Sequence, residues 1–155
     1  MEKVDKRDLK KFILEASRAT YASGNQSIQE KQSDRSTTIQ FEKGEYKYHD
    51  NFFGGEPYGG REVIFYHGKP IWMMVYYGLV FPGVDNKQVY PFLMKALSNA
   101  TADTPYRGPL LFEEGGWKYK NTLLGDVERF SGTERISIDG IGVYEASFLG
   151  GLVDQ

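Results

Sequence analysis

The stretch GREVIFYHGKPIWMMVYYG, residues 60–78, has a counterpart near the end of the chain, GTERISIDGIGVYEASFLG, residues 132–150. At an offset of 72 the two are identical at Gly60/Gly132, Glu62/Glu134, Ile64/Ile136, Gly68/Gly140 and Gly78/Gly150. Trp72/Tyr144 and Tyr76/Phe148 are aromatic in both. Each copy alternates apolar and polar residues around a Gly-containing turn, the pattern of a β-hairpin. Gly68 suits the first position of a type II′ turn, Gly68-Lys69. That register sets Phe65 opposite Trp72 and puts Glu62, Ile64, Tyr66, Ile71, Met73, Val75 and Tyr77 on one face. In the second copy Asp139-Gly140 offers another turn, which slips the register by one residue.

The correspondence extends outward. At an offset of 71, YKYHDNFFGG (46–55) meets WKYKNTLLGD (117–126), and further back FILEA (12–16) answers FLMKA (92–96). Leu9, Phe12, Ile13, Ala16 and Ala19 have the spacing of an amphipathic helix over about 6–20. Val89, Phe92, Leu93, Ala96, Leu97 and Ala100 predict a second helix over 87–100, with Pro91 near its first turn, where a missing N–H costs least. SGNQSIQEKQSDRS (23–36) reads as an aperiodic loop and TPYRGP (104–109) as a rigid connector. The expectation is an α+β fold with an internal duplication of helix plus antiparallel hairpins. Two repeats, about 6–80 and 87–153, share one domain over 1–155, with two helices packed on an antiparallel sheet about a pseudo-twofold axis. Neither half has enough area to bury its sheet face alone.

Composition narrows the function. Lys+Arg is 19 and Asp+Glu 21, a net charge of −2, without the basic surplus of a direct nucleic-acid binder. The basic cluster Lys3, Lys6, Arg7, Lys10 and Lys11 alternates with Glu2, Asp5 and Asp8, as on a solvated helix face. There is no Cys, so thiol catalysis and Cys-ligated metals are excluded. No apolar run approaches the ~20 residues that cross a bilayer, and the charged start lacks a signal-peptide core, so the chain reads as cytoplasmic with no membrane partner. His49 and His67 lack metal-ligand spacing, GGEPYGG lacks a P-loop Lys, and no G-x-S-x-G elbow occurs. No cofactor is expected.

GEYKYHDNFFGG, GREVIFYHGKPIWMMVYYG, PYRGP, ERFSGTERI and FLGGLV together resemble a family of small bacterial domains of unknown function. Some relatives carry an Xre-type helix-turn-helix in front of the domain. The resemblance implies a sensor or effector-binding module in such fusions, and it brings no catalytic residues.

Aromatics make up 15% of the chain, with 11 Tyr and 10 Phe. Tyr48, Trp72, Tyr76 and Tyr77 near Asp50 and Glu62 suit an apolar pocket with a few polar contacts. Glu62 and its repeat Glu134 are carboxylates among apolar neighbours. Such a group sits at a strand rim in water, or has a partner, or has a raised pKa. Arg107 in PYRGP and Arg129 in VERF are candidate partners for these carboxylates or for an anionic ligand. The functional reading is a small-molecule-binding or interaction module. The alternative is a small enzyme using a strand-borne Glu as general acid or base, with an Arg-held anionic substrate.

Overall fold

Asp5 starts the first helix: its carboxylate accepts the backbone N–H of Arg7 at 2.8 Å and of Asp8 at 3.3 Å. In the computed structural model, which describes residues 4–154, this helix, α1, spans Lys6–Ala19. It ends where Thr20 Oγ1 donates back to the Ala16 carbonyl at 2.7 Å. On its polar side Lys6 pairs with Glu128 (2.7 Å) and Lys10 with Asp126 (2.8 Å). Glu2 and Lys3 of that cluster lie outside the described residues. The second helix, α2, spans Asn86–Leu97 and is capped by Asp85, which accepts the Lys87 N–H at 3.0 Å. Pro91 lies in its middle rather than its first turn. The ring is on the exposed side, where a carbonyl left without its helical N–H is solvated.

Among the described residues nine strands form one antiparallel sheet: β1 Glu30–Lys31, β2 Thr37–Lys43, β3 Tyr46–Gly54, β4 Tyr58–Tyr66, β5 Lys69–Val80, β6 Leu111–Glu114, β7 Trp117–Asp126, β8 Arg129–Ile138 and β9 Ile141–Leu152. Their order across the sheet is β1-β2-β3-β4-β5-β9-β8-β7-β6. The fold is therefore α+β, and mostly sheet. The segment 23–36 is not all loop: it contains a 3-10 turn, Gln26–Ile28, and β1. Leu9, Phe12, Ile13 and Ala16 of α1 bury against Tyr48, Ile64, Trp72 and Met74. Val89, Phe92, Leu93, Ala96 and Leu97 of α2 bury against Tyr119, Ile136, Val143 and Tyr144. Among the described residues no helix is long and apolar enough to cross a membrane.

The β4–β5 turn corrects the expected register. His67 and Gly68 have φ of 49° and 77°, and Asp139 and Gly140 have 48° and 82°. Both central residues at positive φ make a type I′ turn, whose twist suits a hairpin. A bulge between Ile64 and Phe65 follows, so Ile64 pairs with Trp72 and Glu62 with Met74. The one-residue slip exchanges the faces of β5. Trp72, Met74 and Tyr76 point inward with Glu62 and Ile64, while Val75 and Tyr77 are exposed.

At the centre of the sheet β5 meets β9, with Tyr76 opposite Phe148. Gly60 pairs with Tyr76 on the β4 side, and Gly132 with Phe148 on the β8 side. A Cβ on Gly60 would lie 2.5 Å from the Asn51 carbonyl oxygen and 2.7 Å from Tyr76 Oη. The missing side chain lets the Tyr76 ring lie across β4 and reach β3. Gly60→Ala is expected to destabilise the fold by about 1–3 kcal/mol in urea denaturation, the usual effect of overpacking. Gly55→Ala, with open space at its Cβ, should stay within ~0.5 kcal/mol of the parent.

Candidate functional site

Glu62 and Glu134 point into the protein from β4 and β8 and are only 1% and 0% exposed, so neither sits at a wet strand rim. A carboxylate held that deep needs hydrogen bonds and a counter-charge, or a proton. Glu134 has the first solution. Arg107 donates to its Oε1 from Nε (3.1 Å) and Nη2 (2.5 Å), and Tyr144 Oη donates to the same oxygen (3.0 Å). Tyr119 Oη donates to Oε2 at 2.5 Å. Burial opposes the charge of Arg107, but Glu134 beside it holds the guanidinium firmly protonated.

The connector 104–109 delivers that arginine because it is fixed on both sides of it. The Tyr106 ring stacks on Phe130 at 4.3 Å, and its hydroxyl donates to Asp126 at 2.8 Å. Gly108 N–H donates to Tyr119 Oη at 3.1 Å, and Asn121 Nδ2 donates to the Gly108 carbonyl at 3.2 Å. Arg107 also donates to Tyr58 Oη (3.1 Å), which is hydrogen-bonded to Tyr144 Oη. Its guanidinium lies 5.6 Å from the Tyr21 ring centre and 5.5 Å from that of Tyr76, within cation–π range.

Glu62 is held differently. Tyr48 Oη donates to its Oε1 at 2.9 Å, while Oε2 has no hydrogen-bond partner. Directly across the β3–β4 ladder stands Asp50, 2% exposed, accepting from Tyr76 Oη at 2.5 Å. Like charges opposite each other in a sheet repel. Loss of hydration pushes Glu62 up to about 8, helped by Asp50 and opposed by the Tyr48 hydrogen bond and by Arg107. Loss of hydration likewise pushes Asp50 up to about 7, against the Tyr76 hydrogen bond and Arg107.

A cavity of about 200 Å³ touches this pair. Its more exposed end is formed by Gln29, Gly55, Tyr90 and Met94, and its apolar walls by Ile39, Phe52, Leu93 and Leu97. The polar end holds Asp50, Glu62, Tyr76 and Arg107. Tyr21 also borders it, and its buried hydroxyl, beside Ser17, makes no hydrogen bond of good geometry. A larger concavity of about 1010 Å³ lies elsewhere, beside exposed Glu113, Lys118 and Arg135. It lacks the carboxylate pair, and we place the candidate site in the smaller one. Among the described residues no three His, Asp or Glu side chains are grouped to hold a metal.

The structure brings together Tyr48, Asp50, Glu62, Tyr76, Arg107 and Glu134 and separates the other candidates. Trp72 is wholly buried beside Phe130 and Tyr106, donating to the Val127 carbonyl at 3.2 Å, and does not line the cavity. Tyr77 is 55% exposed on the opposite face, as the register correction requires. Arg129 is exposed and borders a different surface concavity with Met73 and Leu149, so it partners neither glutamate. Sequence reasoning missed Tyr21, Tyr58, Tyr119 and the hydroxyl of Tyr144. Tyr21 follows the expected helix and Tyr58 stands in the Gly-rich run GGEPYGG, so neither carried a signal, whereas Tyr119 was findable as the counterpart of Tyr48 at the offset of 71.

Two measurements test this electrostatic arrangement. Arg107→Ala should cost about 3–5 kcal/mol in chemical denaturation, because it strands the buried Glu134 charge. The second is a pH profile. Both Asp50 and Glu62 have folded pKa values above their ordinary values of 3.8 and 4.5. Between about pH 4 and 8 the native state therefore binds more protons than the unfolded chain, and stability falls as pH rises. The drop should be on the order of several kcal/mol, level off above the raised values, and be reduced by about half by Glu62→Gln, because burial keeps Asp50 raised.

No curated protein and no solved structure matches the chain. A family model does match residues 50–153, from Asp50 of the carboxylate pair to the end of β9, and it includes Glu62, Arg107 and Glu134. The chain belongs to that family, a domain of unknown function (DUF5680).

Proposed function

We propose that the protein is a small-molecule-binding module whose ligand sits between α2 and the inner face of β2–β4. The observation that carries this reading is a cavity of about 200 Å³ with apolar walls and an unpartnered buried Glu62 oxygen at its polar end. That is the usual make-up of a ligand site: mostly apolar, with a few fixed polar groups. An interaction protein with a flat docking face would have no use for a buried carboxylate pair.

The proposed site rests on a duplicated architecture, which we infer from the ladder. Tyr76 faces Phe148, its own counterpart at the offset of 72, at the middle of the β5–β9 pairing. The bulge at Ile64/Phe65 recurs at Ile136/Ser137, and the His67-Gly68 turn at Asp139-Gly140. Such recurrence is what one helix-plus-hairpins unit, used twice in a single domain about a pseudo-twofold axis, would produce.

A second reading starts from Asp50 and Glu62 facing each other across the β3–β4 ladder beside the cavity. Glu62 and Asp50, raised to about 8 and about 7, are poised for proton transfer near neutral pH. A small enzyme using Glu62 as acid or base would look like this. The two readings separate once a ligand is found: a module returns it unchanged, and an enzyme returns a different molecule.

The test is a fragment screen followed by protein-observed NMR. Hits should perturb the methyl groups of Ile39, Leu93, Met94 and Leu97. Met94→Trp, which narrows the exposed end, should abolish these shifts while leaving the melting temperature near that of the parent. Hits confined to the larger concavity beside Glu113 and Arg135 would refute the assignment.

A further inference from the structure

The two buried glutamates provide an internal comparison. Each accepts a hydroxyl from a tyrosine on the neighbouring strand, Tyr48 for Glu62 at 2.9 Å and Tyr119 for Glu134 at 2.5 Å. These tyrosines correspond at the offset of 71, as do Asp50 and Asn121. The second oxygen of each glutamate differs. On Glu134 it receives two N–H groups of Arg107. On Glu62 it receives nothing and is buried. The segment entering β2 carries Ser36 where the segment entering β6 carries Arg107, and the Ser36 hydroxyl is used on Asp34 at 2.5 Å.

Resting on the ligand-binding reading, we propose that the cavity takes a small organic cation, a guanidinium or primary ammonium on a short apolar tail, whose N–H donors occupy against Glu62 the place Arg107 occupies against Glu134. Charge counting agrees. Asp50, Glu62 and Glu134 supply three buried acids, and Arg107 supplies one base that is already committed to Glu134. A cation completes the Glu62 pair and relieves the repulsion from Asp50. The planar N–H fork of a guanidinium matches a carboxylate edge. Tyr76, whose ring already lies within cation–π range of Arg107, also lines the cavity. The apolar tail lies against Ile39, Leu93 and Leu97.

The experiment titrates the full chain with three probes of similar shape and different charge: n-butylguanidinium, n-butanol and butyrate. Binding is followed by NMR shifts and calorimetry at pH 8. The expected result is that n-butylguanidinium binds with shifts at Ile39 and Leu97, and butyrate does not. Glu62→Gln should weaken it by roughly thirtyfold or more, the loss typical of removing one partner of a buried charge pair. Arg129→Ala, on the outer face, should leave the affinity unchanged. Stronger binding of butanol or butyrate in the same cavity would overturn the cation assignment and leave the binding reading intact. Absence of binding by all three would overturn both. A response to magnesium or calcium ions alone, lost in Glu62→Gln, would replace the organic cation with a metal.

Discussion

The pairing of β5 with β9 is the constraint on which the other arrangements depend. It sets Tyr76 against Phe148 and so joins β1–β5 to β6–β9 in a single sheet. Both rings need a side-chain-free neighbour in the next strand, and Gly60 and Gly132 supply it. Once Tyr76 lies across β4, its hydroxyl reaches Asp50 on β3 and its ring backs the Arg107 guanidinium. One central residue therefore links the seam, the carboxylate pair and the one cation committed to Glu134. A shift of β5 by one residue would turn Tyr76 to solvent and break all three links.

Much of this was legible in the sequence. The two helices came from apolar periodicity, and the matching hairpins came from glycines and alternation. Glu62 and Glu134 stood out because they recur at the same position among apolar residues. The register did not follow, because Gly68 fits the first position of one turn type and the second position of another. His67 at positive φ decided for the second; histidine is among the residues that accept this conformation, and the aligned Asp139-Gly140 pair was the signal for it. Pro91 was assigned to a first turn on average cost, whereas an exposed ring makes the middle of α2 tolerable. Arg107 was identifiable as a residue type. Its partner lies 27 residues away, and only the fold makes them neighbours. Trp72 and Tyr77 failed as pocket residues for different reasons: Tyr77 was put on the inner face by the misplaced turn, whereas Trp72 does point inward but packs on Phe130 and Tyr106, away from the cavity.

The difference between the two glutamates carries the functional argument furthest. Burying an ionised group without a counter-charge is costly, and a sequence under selection for stability alone has cheap remedies, such as Gln or Leu at position 62. Glu134 shows that this fold can also provide a buried cation, with hydrogen bonds from two tyrosines as well. Glu62 has one tyrosine, a facing aspartate and a buried oxygen without a hydrogen bond instead. Asp50 sharpens the contrast, because Asn121 at its counterpart position carries no charge. Two acidic groups thus stand where a neutral pair would pack more safely, and a cavity lies against them rather than against Glu134. Local rules broken without compensation inside the chain are expected where the compensation arrives from outside it. On the ligand-binding reading we propose, the unsatisfied half would be the working half, with the Arg107–Glu134 pair as the built-in version of the proposed contact.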